Sequence, residues 1–405
     1  MRLDLLLSRE RFQKTFEDTL SDYLHNVFSW NGVVSWSHSN VKGADFLVNA
    51  KLNLIFPAKC RAAHLNYLAS EYAFSENPVR HFFQKAYIHI SLFPFFRRFF
   101  SEGFITVNPL PESLRNWCFL PGNNSIRILD FRDNTCVVLN KKGFSSELFN
   151  NLVNVRHAHP EIPGPKLLDW DVEQGWYKEK RIYGRPLNRI SSSFAREKTF
   201  DAAKNSLSLL YQKTYVKELS INWLSMRQQA IGRLVQQLPE IYESNIRIQI
   251  ISLTSYLVGK INASLGESGC VTFPVALTHG DFQPGNIFVP DDMSDESVYL
   301  IDWEYAALRC TWYDAMVFNL QTRFPSGMAD RVIAWLGNNA FQNETLSWSS
   351  GNILGQVPSY LILYCFLLED LIFRLSASSI PGVQKLDDGF LTFINELDNM
   401  REALS

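Results

Sequence analysis

The sequence predicts an α+β fold with a small antiparallel β-sheet lobe, a larger and mostly helical lobe, and an N-terminal extension. Three observations support this prediction. Short β-rich runs separated by turn residues fill residues 117–186, helical periodicity dominates after Pro186, and the first 115 residues mix both patterns without a chemical motif. The expected domains are therefore an N-terminal α/β extension of unknown role (1–115), a small lobe (116–185) and a helical lobe (186–405).

Length and composition agree with an ordered protein of two or three domains. Apolar residues make up 46% of the 405 residues and charged residues 20%, and the formal net charge is −2. This charge gives no general basic field, so nucleic acid is not an expected partner. The six cysteines are scattered, with no Cys-x-x-Cys pair and no zinc spacing. They predict reduced, mostly buried thiols.

The sequence predicts a cytoplasmic protein without a transmembrane segment. The N-terminal apolar run is broken after Leu7 by Ser8-Arg9-Glu10, which is too early for a signal peptide. No stretch reaches the ~20 uninterrupted apolar residues that a bilayer-spanning helix needs.

Residues 1–115 begin with predicted helical and extended segments. Apolar residues at helical spacing predict a helix over 9–28, an apolar run closed by Pro57 predicts strand over 46–56, and 58–73 is again helical in pattern.

One aromatic-rich segment, residues 82–100, has two interpretations. Its phenylalanines and basic residues could lie on a membrane surface. Alternatively, two short elements separated by Pro94 bury the phenylalanines in the core. We expect the second, because apolar segments of this length are usually part of the core.

Residues 117–186 show the order of a small antiparallel sheet with one helix. Strands are predicted at 117–120, 125–131, 135–139 and 176–182, with a helix over 146–157. Beyond Pro186 the predicted helices span 196–217, 221–237, 245–265, 311–323, 328–342, 352–376 and 384–403.

The residues that point to a chemistry lie between 277 and 304. Asp281 follows an apolar strand, Asn286 comes five positions later, and Asp302 ends a second apolar run. The first carboxylate can orient and deprotonate a substrate hydroxyl, and Asn286 and Asp302 can hold magnesium on the phosphates of a nucleotide. A β-hairpin that carries both ligands at one end would bring them together. Taken singly, Asp281 or Asn286 could simply be a turn residue.

Three neighbouring residues are expected to support this site. We expect His279 to brace the loop by hydrogen bonds, and Asp314 to cap a helix or hydrogen-bond the same loop. Glu304 could supplement the metal site or pair with Arg309, and the sequence does not decide between these roles.

The expected cofactor contacts in the small lobe are less specific. Lys141 and Lys142, after the strand at 135–139, are candidates for contacting phosphates, although a solvated Lys-Lys-Gly turn explains them nearly as well. Glu179 and Arg181 would line the hinge, where backbone groups can pair with a purine.

These residues resemble the aminoglycoside phosphotransferase and choline kinase superfamily, relatives of the protein kinase fold. The match to His-Gly-Asp-x-x-x-x-Asn runs from His279 to Asn286, and Ile301-Asp302-Trp303-Glu304-Tyr305 matches the second motif, closest to the choline kinase branch. Tyr313-Asp314-Ala315 matches a later element. The resemblance implies a protein-kinase-like two-lobed fold and transfer of the γ-phosphate of ATP to a small-molecule hydroxyl. Asp281 would be the base, with Mg²⁺ on Asn286 and Asp302.

Several features depart from that pattern. The phosphate lysine is ambiguous, and the helix after it carries Asn150-Asn151 where an acid is usual. Glu147 stands too near to be the conventional lysine partner. A pseudokinase or nucleotide-binding regulatory partner is therefore the alternative to a small-molecule kinase acting on an amino alcohol, a sugar or a polysaccharide precursor.

Overall fold

The computed structural model describes residues 3–59, 72–75, 77–268, 271–291, 298–347, 357–379 and 387–404. The chain divides into two compact units: Met1–Val153 with Pro165–Ile182, and Asn154–Gly164 with Tyr183–Ser405. The first unit contains one large antiparallel sheet, and the second is mostly helical with two small sheets. This organisation confirms the predicted α+β class.

The sheet of the first unit has nine strands. They are β1 (Val33–Ser37), β2 (Phe46–Asn49), β3 (Leu54–Pro57), β4 (Gly103–Asn108), β5 (Trp117–Pro121), β6 (Ser125–Asp130), β7 (Thr135–Asn140), β8 (Leu167–Asp171) and β9 (Trp176–Lys180), in the spatial order β1-β4-β2-β3-β5-β6-β7-β9-β8. Ile55 of β3 pairs with Phe119 of β5. Strands from the first 115 residues and strands from the expected small lobe therefore share one sheet, and the boundary near residue 115 stays a prediction.

Helices α1 (Leu3–Arg9) and α2 (Phe12–Phe28) precede this sheet. The apolar stripe of α2 is buried against it, and the Phe16 ring meets that of Phe119 edge-on at 5.2 Å. Fully burying a side chain of this size stabilises the fold by roughly 1.5–3 kcal/mol. The helix ends where Ser29 adopts a left-handed conformation. The helix predicted over 58–73 falls largely on residues 60–71, which lie outside the described residues.

Helix α3 (Pro78–Leu92) corrects one expectation. It buries Ile88, Ser91 and Leu92. However, Phe82 and Phe83 are 67% and 65% exposed, and Phe95 and Phe99 beyond the helix are 81% and 91% exposed. The expectation that this segment buries its phenylalanines in the core is wrong for these four residues and for Phe93 and Phe96, because periodicity identifies apolar faces but not which face is covered.

The second unit is built around buried helices. Helix α4 (Glu147–Ala158) begins in the first unit and ends in the second. The other helices of the second unit are α5 (Ser193–Thr214), α6 (Ser220–Gln237), α7 (Ser244–Ser268), α8 (Tyr313–Asn319), α9 (Met328–Leu336), α10 (Asn339–Leu346), α11 (Ser359–Ser378) and α12 (Asp388–Ala403). Helix α11 lies at the centre, with every residue from Leu361 to Leu371 buried. Among the described helices, none has both the length and the apolar character needed to cross a bilayer.

Two three-stranded sheets complete this unit. One contains β10 (Gly184–Pro186), β13 (Ile287–Pro290) and β14 (Tyr299–Leu300), and the other contains β11 (Val216–Leu219), β12 (Thr272–Thr278) and β15 (Ala307–Cys310). The chain leaves β12 at Thr278 and enters β13 at Ile287. The loop of residues 279–286 between them carries three of the candidate residues, His279, Asp281 and Asn286.

Candidate active site

A glycine with no substitute begins the turn of the 279–286 loop. Gly280 has φ +84°, and a Cβ atom at this position would lie 2.2 Å from the backbone oxygen of Tyr305. Since both the left-handed conformation and the close approach exclude a side chain, this position needs glycine. The close approach brings the loop against residues 303–305, beside Asp302.

Asp314 fixes the start of the loop from inside the protein. Its fully buried carboxylate accepts hydrogen bonds from the backbone amides of His279 at 2.7 Å and Gly280 at 2.9 Å. The Tyr211 hydroxyl donates a third bond of 2.7 Å. These three donors offset the cost of burying the carboxylate. Burial, together with the charge of Asp314, raises the pKa of Tyr211. Asp314 therefore supports the start of the loop through these hydrogen bonds.

His279 connects the loop to the segment that carries Asp302. Its Nδ1 accepts a hydrogen bond from the amide of Asp281 at 3.2 Å, and its Nε2 lies 2.8 Å from the backbone oxygen of Ile301. This hydrogen-bond pattern assigns the ring proton to Nε2. The imidazole also lies against Trp303, with the ring centroids 4.5 Å apart. Both ring nitrogens of His279 therefore form hydrogen bonds that brace the loop.

Asp281 and Asn286 are in direct contact. The Asn286 Nδ2 group donates to the Asp281 Oδ2 atom at 2.9 Å and to the Asp281 backbone oxygen at 2.9 Å. Gln283 donates to the same Oδ2 atom at 3.0 Å. The carboxylate is therefore held in one orientation by side chains of its own loop.

Arg323 holds the other oxygen of Asp281, and sequence reasoning missed this residue. Its Nε atom lies 2.6 Å from Asp281 Oδ1, and its two terminal nitrogens donate to Asp370 Oδ1 and to the Gly280 backbone oxygen, both at 2.6 Å. The guanidinium also lies 3.5 Å from the ring centroid of Phe373. Burial alone would lower the pKa of Arg323, but the charges of Asp370 and Asp281 and the Tyr313 hydroxyl outweigh it and raise that pKa.

No short motif marks Arg323 in the sequence. It lies 42 residues after Asp281, in the segment between α8 and α9. The only available signal was an arginine close to the Tyr313-Asp314-Ala315 element, which does not specify a partner.

Asp302 lies at the same end of the β13–β14 hairpin as Asn286. Ile287 pairs with Leu300, and the Ile301 amide donates to the Asn286 backbone oxygen at 3.0 Å. Asp302 follows in a left-handed conformation, φ 65° and ψ 53°. Aspartate tolerates this region better than most residues but still at a cost, and such conformations are common at functional sites.

Two side chains at this end of the hairpin, Asn286 and Asp302, carry oxygen atoms of the kind that could hold a magnesium ion. Both amide protons of Asn286 are used by Asp281, so Oδ1 is the atom of that side chain left to act as a ligand. Asp302 supplies a carboxylate. Among the described residues no cluster of three or more His, Cys, Asp or Glu side chains could hold a metal. Magnesium on a nucleotide needs only one or two carboxylates, because phosphate oxygens and water complete its shell.

Glu304 lies two residues beyond Asp302, in the short 3₁₀ turn Trp303–Tyr305. Arg309, its possible partner, donates to the Thr278 hydroxyl at 3.0 Å and to the Tyr305 backbone oxygen at 2.8 Å. These bonds join β15 to the start of the loop, whichever role Glu304 has.

Lys141 in the first unit has a partner that the sequence did not indicate. Its buried ammonium lies 2.7 Å from the buried carboxylate of Glu10 and donates to the Asn123 backbone oxygen at 2.8 Å. The rings of Phe12 and Phe144 lie 5.0 and 5.1 Å from it. The structure thus shows Lys141 in a buried ion pair, and a phosphate contact of this candidate stays a prediction.

The other three candidates for cofactor contacts, Lys142, Glu179 and Arg181, lie on or next to strands β7 and β9. Lys142 forms a half-exposed ion pair with Asp22 at 2.6 Å. Glu179 lies on β9 opposite Cys136 of β7. Arg181 is largely buried, with its guanidinium 4.0 Å from the Phe131 ring centroid. These residues belong to the first unit, and the Asp281 loop belongs to the second.

Comparisons with known proteins give matches among solved structures. No family model matches the sequence, and no curated protein sequence matches it. A choline/ethanolamine kinase family protein from Mesorhizobium loti matches with a TM-score of 0.46 and 13% identity, covering 80% of this chain and 95% of that one. An ethanolamine kinase from Plasmodium vivax matches with a TM-score of 0.46 and 13% identity, covering 84% of this chain and 94% of that one. An aminoglycoside phosphotransferase from Streptomyces rimosus matches with a TM-score of 0.40 and 16% identity, covering 64% of this chain and 92% of that one. All three identities are 16% or lower, and all three TM-scores are below 0.5.

Proposed function

We propose that this protein is a phosphotransferase that moves the γ-phosphate of ATP to a hydroxyl group of a small molecule, in the cytoplasm. The observation that carries the proposal is the 2.9 Å hydrogen bond between Asp281 and Asn286 at the hairpin end that also carries Asp302. A base, a carboxamide and a second carboxylate at one place are the groups that such a transfer needs.

Asp281 has the role of positioning the acceptor hydroxyl and accepting its proton. Arg323, Gln283 and Asn286 orient the carboxylate before a substrate arrives. Phosphoryl transfer depends more on the position of this carboxylate than on its basicity, since the transition state is largely dissociative. The acceptor hydroxyl is therefore expected at the exposed edge of this carboxylate.

Asn286 Oδ1 and the Asp302 carboxylate would hold Mg²⁺. When bound, the ion neutralises negative charge on the nucleotide phosphates. The left-handed backbone at Asp302 and the Ile301–Asn286 hydrogen bond fix these ligands relative to the Asp281 loop.

The acceptor is proposed as an amino alcohol, a sugar or a polysaccharide precursor. Glu369 and Asp370, two acids that could have attracted an ammonium group, are buried and paired with arginines: Glu369 lies 3.2 Å from Arg227 and Asp370 lies 2.6 Å from Arg323. They give no reason to favour an amine over a neutral sugar.

Two substitutions test the proposal. We expect Asp302→Ala to abolish magnesium-dependent ATP binding, measured by calorimetry. We expect Asp281→Asn to leave ATP affinity near wild type and to slow phosphate transfer about 100-fold or more, as for the loss of a positioned base. Phosphate transfer is followed with labelled ATP over a panel of hydroxyl compounds.

Asp291→Asn is the matched control, because Asp291 adjoins the same hairpin but pairs with Arg185 on the surface. It should bind ATP and transfer phosphate like the wild type. Unchanged magnesium-ATP affinity in Asp302→Ala, or normal turnover in Asp281→Asn, would contradict the assigned roles.

A nucleotide-binding regulatory partner without turnover is the second candidate. The burial of Lys141 against Glu10 favours it, since that lysine is not presented to a phosphate. Wild-type protein that binds magnesium-ATP through Asp302 but neither hydrolyses it nor transfers phosphate to any compound of the panel would identify this function.

A further inference from the structure

The first unit exposes a continuous run of large apolar side chains along α3 and the turn that follows it. We call this run the aromatic surface. Its members are more than 40% exposed: Val79, Phe82, Phe83, Ile90, Phe93, Phe95, Phe96 and Phe99. Neighbouring rings touch one another, with centroids 5.8 Å apart for Phe82 and Phe83 and 5.1 Å apart for Phe95 and Phe96. Soluble surfaces rarely present so many large apolar groups side by side.

Helix α3 has two apolar faces with different surroundings. Ile88 and Leu92, one turn apart, are buried in the core with Leu47 and Phe56. Val79, Phe82, Phe83 and Ile90 lie on the opposite face of the helix, at the spacing of 3.6 residues per turn, and that face is exposed. The buried face anchors the helix to the sheet. The second face therefore needs an explanation other than folding of the core.

The charge of the segment is as biased as its apolar content. Residues 78–100 carry Arg80, Lys85, Arg97 and Arg98 and contain no aspartate or glutamate, whereas the whole chain has a net charge of −2. On α3, Arg80 and Lys85 flank the exposed apolar face on its two sides. A surface of apolar groups bordered by basic groups matches an interface that is apolar inside and negatively charged outside.

We propose that the aromatic surface docks this protein onto the surface of an anionic lipid bilayer. Helix α3 lies in the plane of the interface, with its exposed face and the rings of Phe95 and Phe99 among the upper acyl chains. Arg80 and Lys85 then lie at the level of the lipid headgroups. Phe95 and Phe99, the two most exposed rings, enter the bilayer without any rearrangement of the core.

The charge argues for a lipid surface over a second copy of this chain. Two copies that met through this surface would bring eight basic residues together and no acidic ones from residues 78–100. Like charges that are brought together in an interface oppose association. An anionic bilayer instead supplies negative charge wherever the segment lies.

Flotation with liposomes tests the proposal. Full-length protein is mixed with vesicles of phosphatidylcholine alone or of phosphatidylcholine with 30% phosphatidylserine. We expect binding to the anionic vesicles, with a partition coefficient that falls about tenfold or more in Phe95→Ser/Phe99→Ser. In Arg80→Gln/Lys85→Gln it should fall roughly fivefold for each charge removed. Salt near 1 M, where the Debye length is about 3 Å, should also weaken the binding of the wild-type protein to the anionic vesicles.

The control variant Phe194→Ser/Ile248→Ser removes two exposed apolar residues of the second unit, which are 75% and 66% exposed. It should bind vesicles like the wild type, and thermal melting checks that every variant is folded. The proposal is overturned if wild-type protein does not float with anionic vesicles, or if the control weakens binding as much as the Phe95/Phe99 variant. It is also overturned if light scattering shows a dimer that the Phe95/Phe99 variant converts to monomer while vesicle binding is unchanged.

Discussion

Replacing Arg323 with methionine should destabilise the second unit by about 3–5 kcal/mol. Arg323 is the main partner of Asp370, which is completely buried. In Arg323→Met, Asp370 keeps only the Tyr313 hydroxyl at 3.0 Å and the more distant Arg374 at 4.0 Å among its described contacts. A buried carboxylate that loses its counter-charge costs about this much in other proteins.

The magnitude follows from the positions of the charges. Two unit charges about 4 Å apart interact by about 4 kcal/mol at an effective dielectric constant near 20, and burial of both groups offsets part of this. Asp281 is more exposed than Asp370, so its lost bond contributes less. For a domain of roughly 150–250 residues each kcal/mol corresponds to about 2–4 °C, so the melting temperature should fall by about 6–20 °C.

Urea unfolding followed by tryptophan fluorescence measures the change. Asp370→Asn and the double variant Arg323→Met/Asp370→Asn complete a double-mutant cycle. Because neighbouring residues are coupled, the double variant should recover about 1–3 kcal/mol or more of the stability that Arg323→Met loses. Arg331→Met is the matched control, because Arg331 donates only to the backbone oxygens of Leu320, Ser326 and Phe324 among its described bonds. Equal destabilisation by the two arginine variants, or no recovery in the double variant, would refute the reasoning.

Two further predictions concern buried ionisable groups. Lys141→Met should lower the unfolding free energy by about 3–5 kcal/mol, because it leaves the Glu10 carboxylate buried without this ammonium group. Lys142→Met removes a half-exposed ion pair and should lower it by less than about 1 kcal/mol. Urea unfolding of both variants checks this contrast. Burial raises the pKa of Glu369 above its ordinary value of 4.5, although Arg227 opposes the shift. The folded state therefore holds this proton more tightly than the unfolded state, so wild-type protein should lose stability relative to Glu369→Gln as pH rises from about 4.5 through the raised pKa. A stability difference that stays constant between pH 4 and pH 8 would show that burial does not shift this group.

The sequence was informative where the structure is local. Asp281 and Asn286 are five residues apart, and a single hairpin brings Asp302 to the same end, so spacing alone indicated their proximity. Long helices such as α2, α6 and α7 also followed from periodicity, because each covers several turns with one apolar stripe.

Contacts between distant parts of the chain were not predictable in this way. Glu10 lies 131 residues before Lys141, and Arg323 lies 42 residues after Asp281, so neither ion pair left a pattern in the sequence. Both pairs depend on how whole elements pack. For α3 the composition was visible, but only the folded structure distinguishes its covered face from its exposed face.

Residues in and just beyond α8 hold the 279–286 loop at two places. Asp314 in its first turn binds the amides of His279 and Gly280, and Arg323, four residues beyond its last residue, binds the oxygen of Gly280 and the carboxylate of Asp281. The short helix and the loop must therefore shift together as one body. Substitutions at Met316 or Val317, which are buried on α8 itself, would therefore shift the Asp281 carboxylate from a distance, without altering any side chain of the loop.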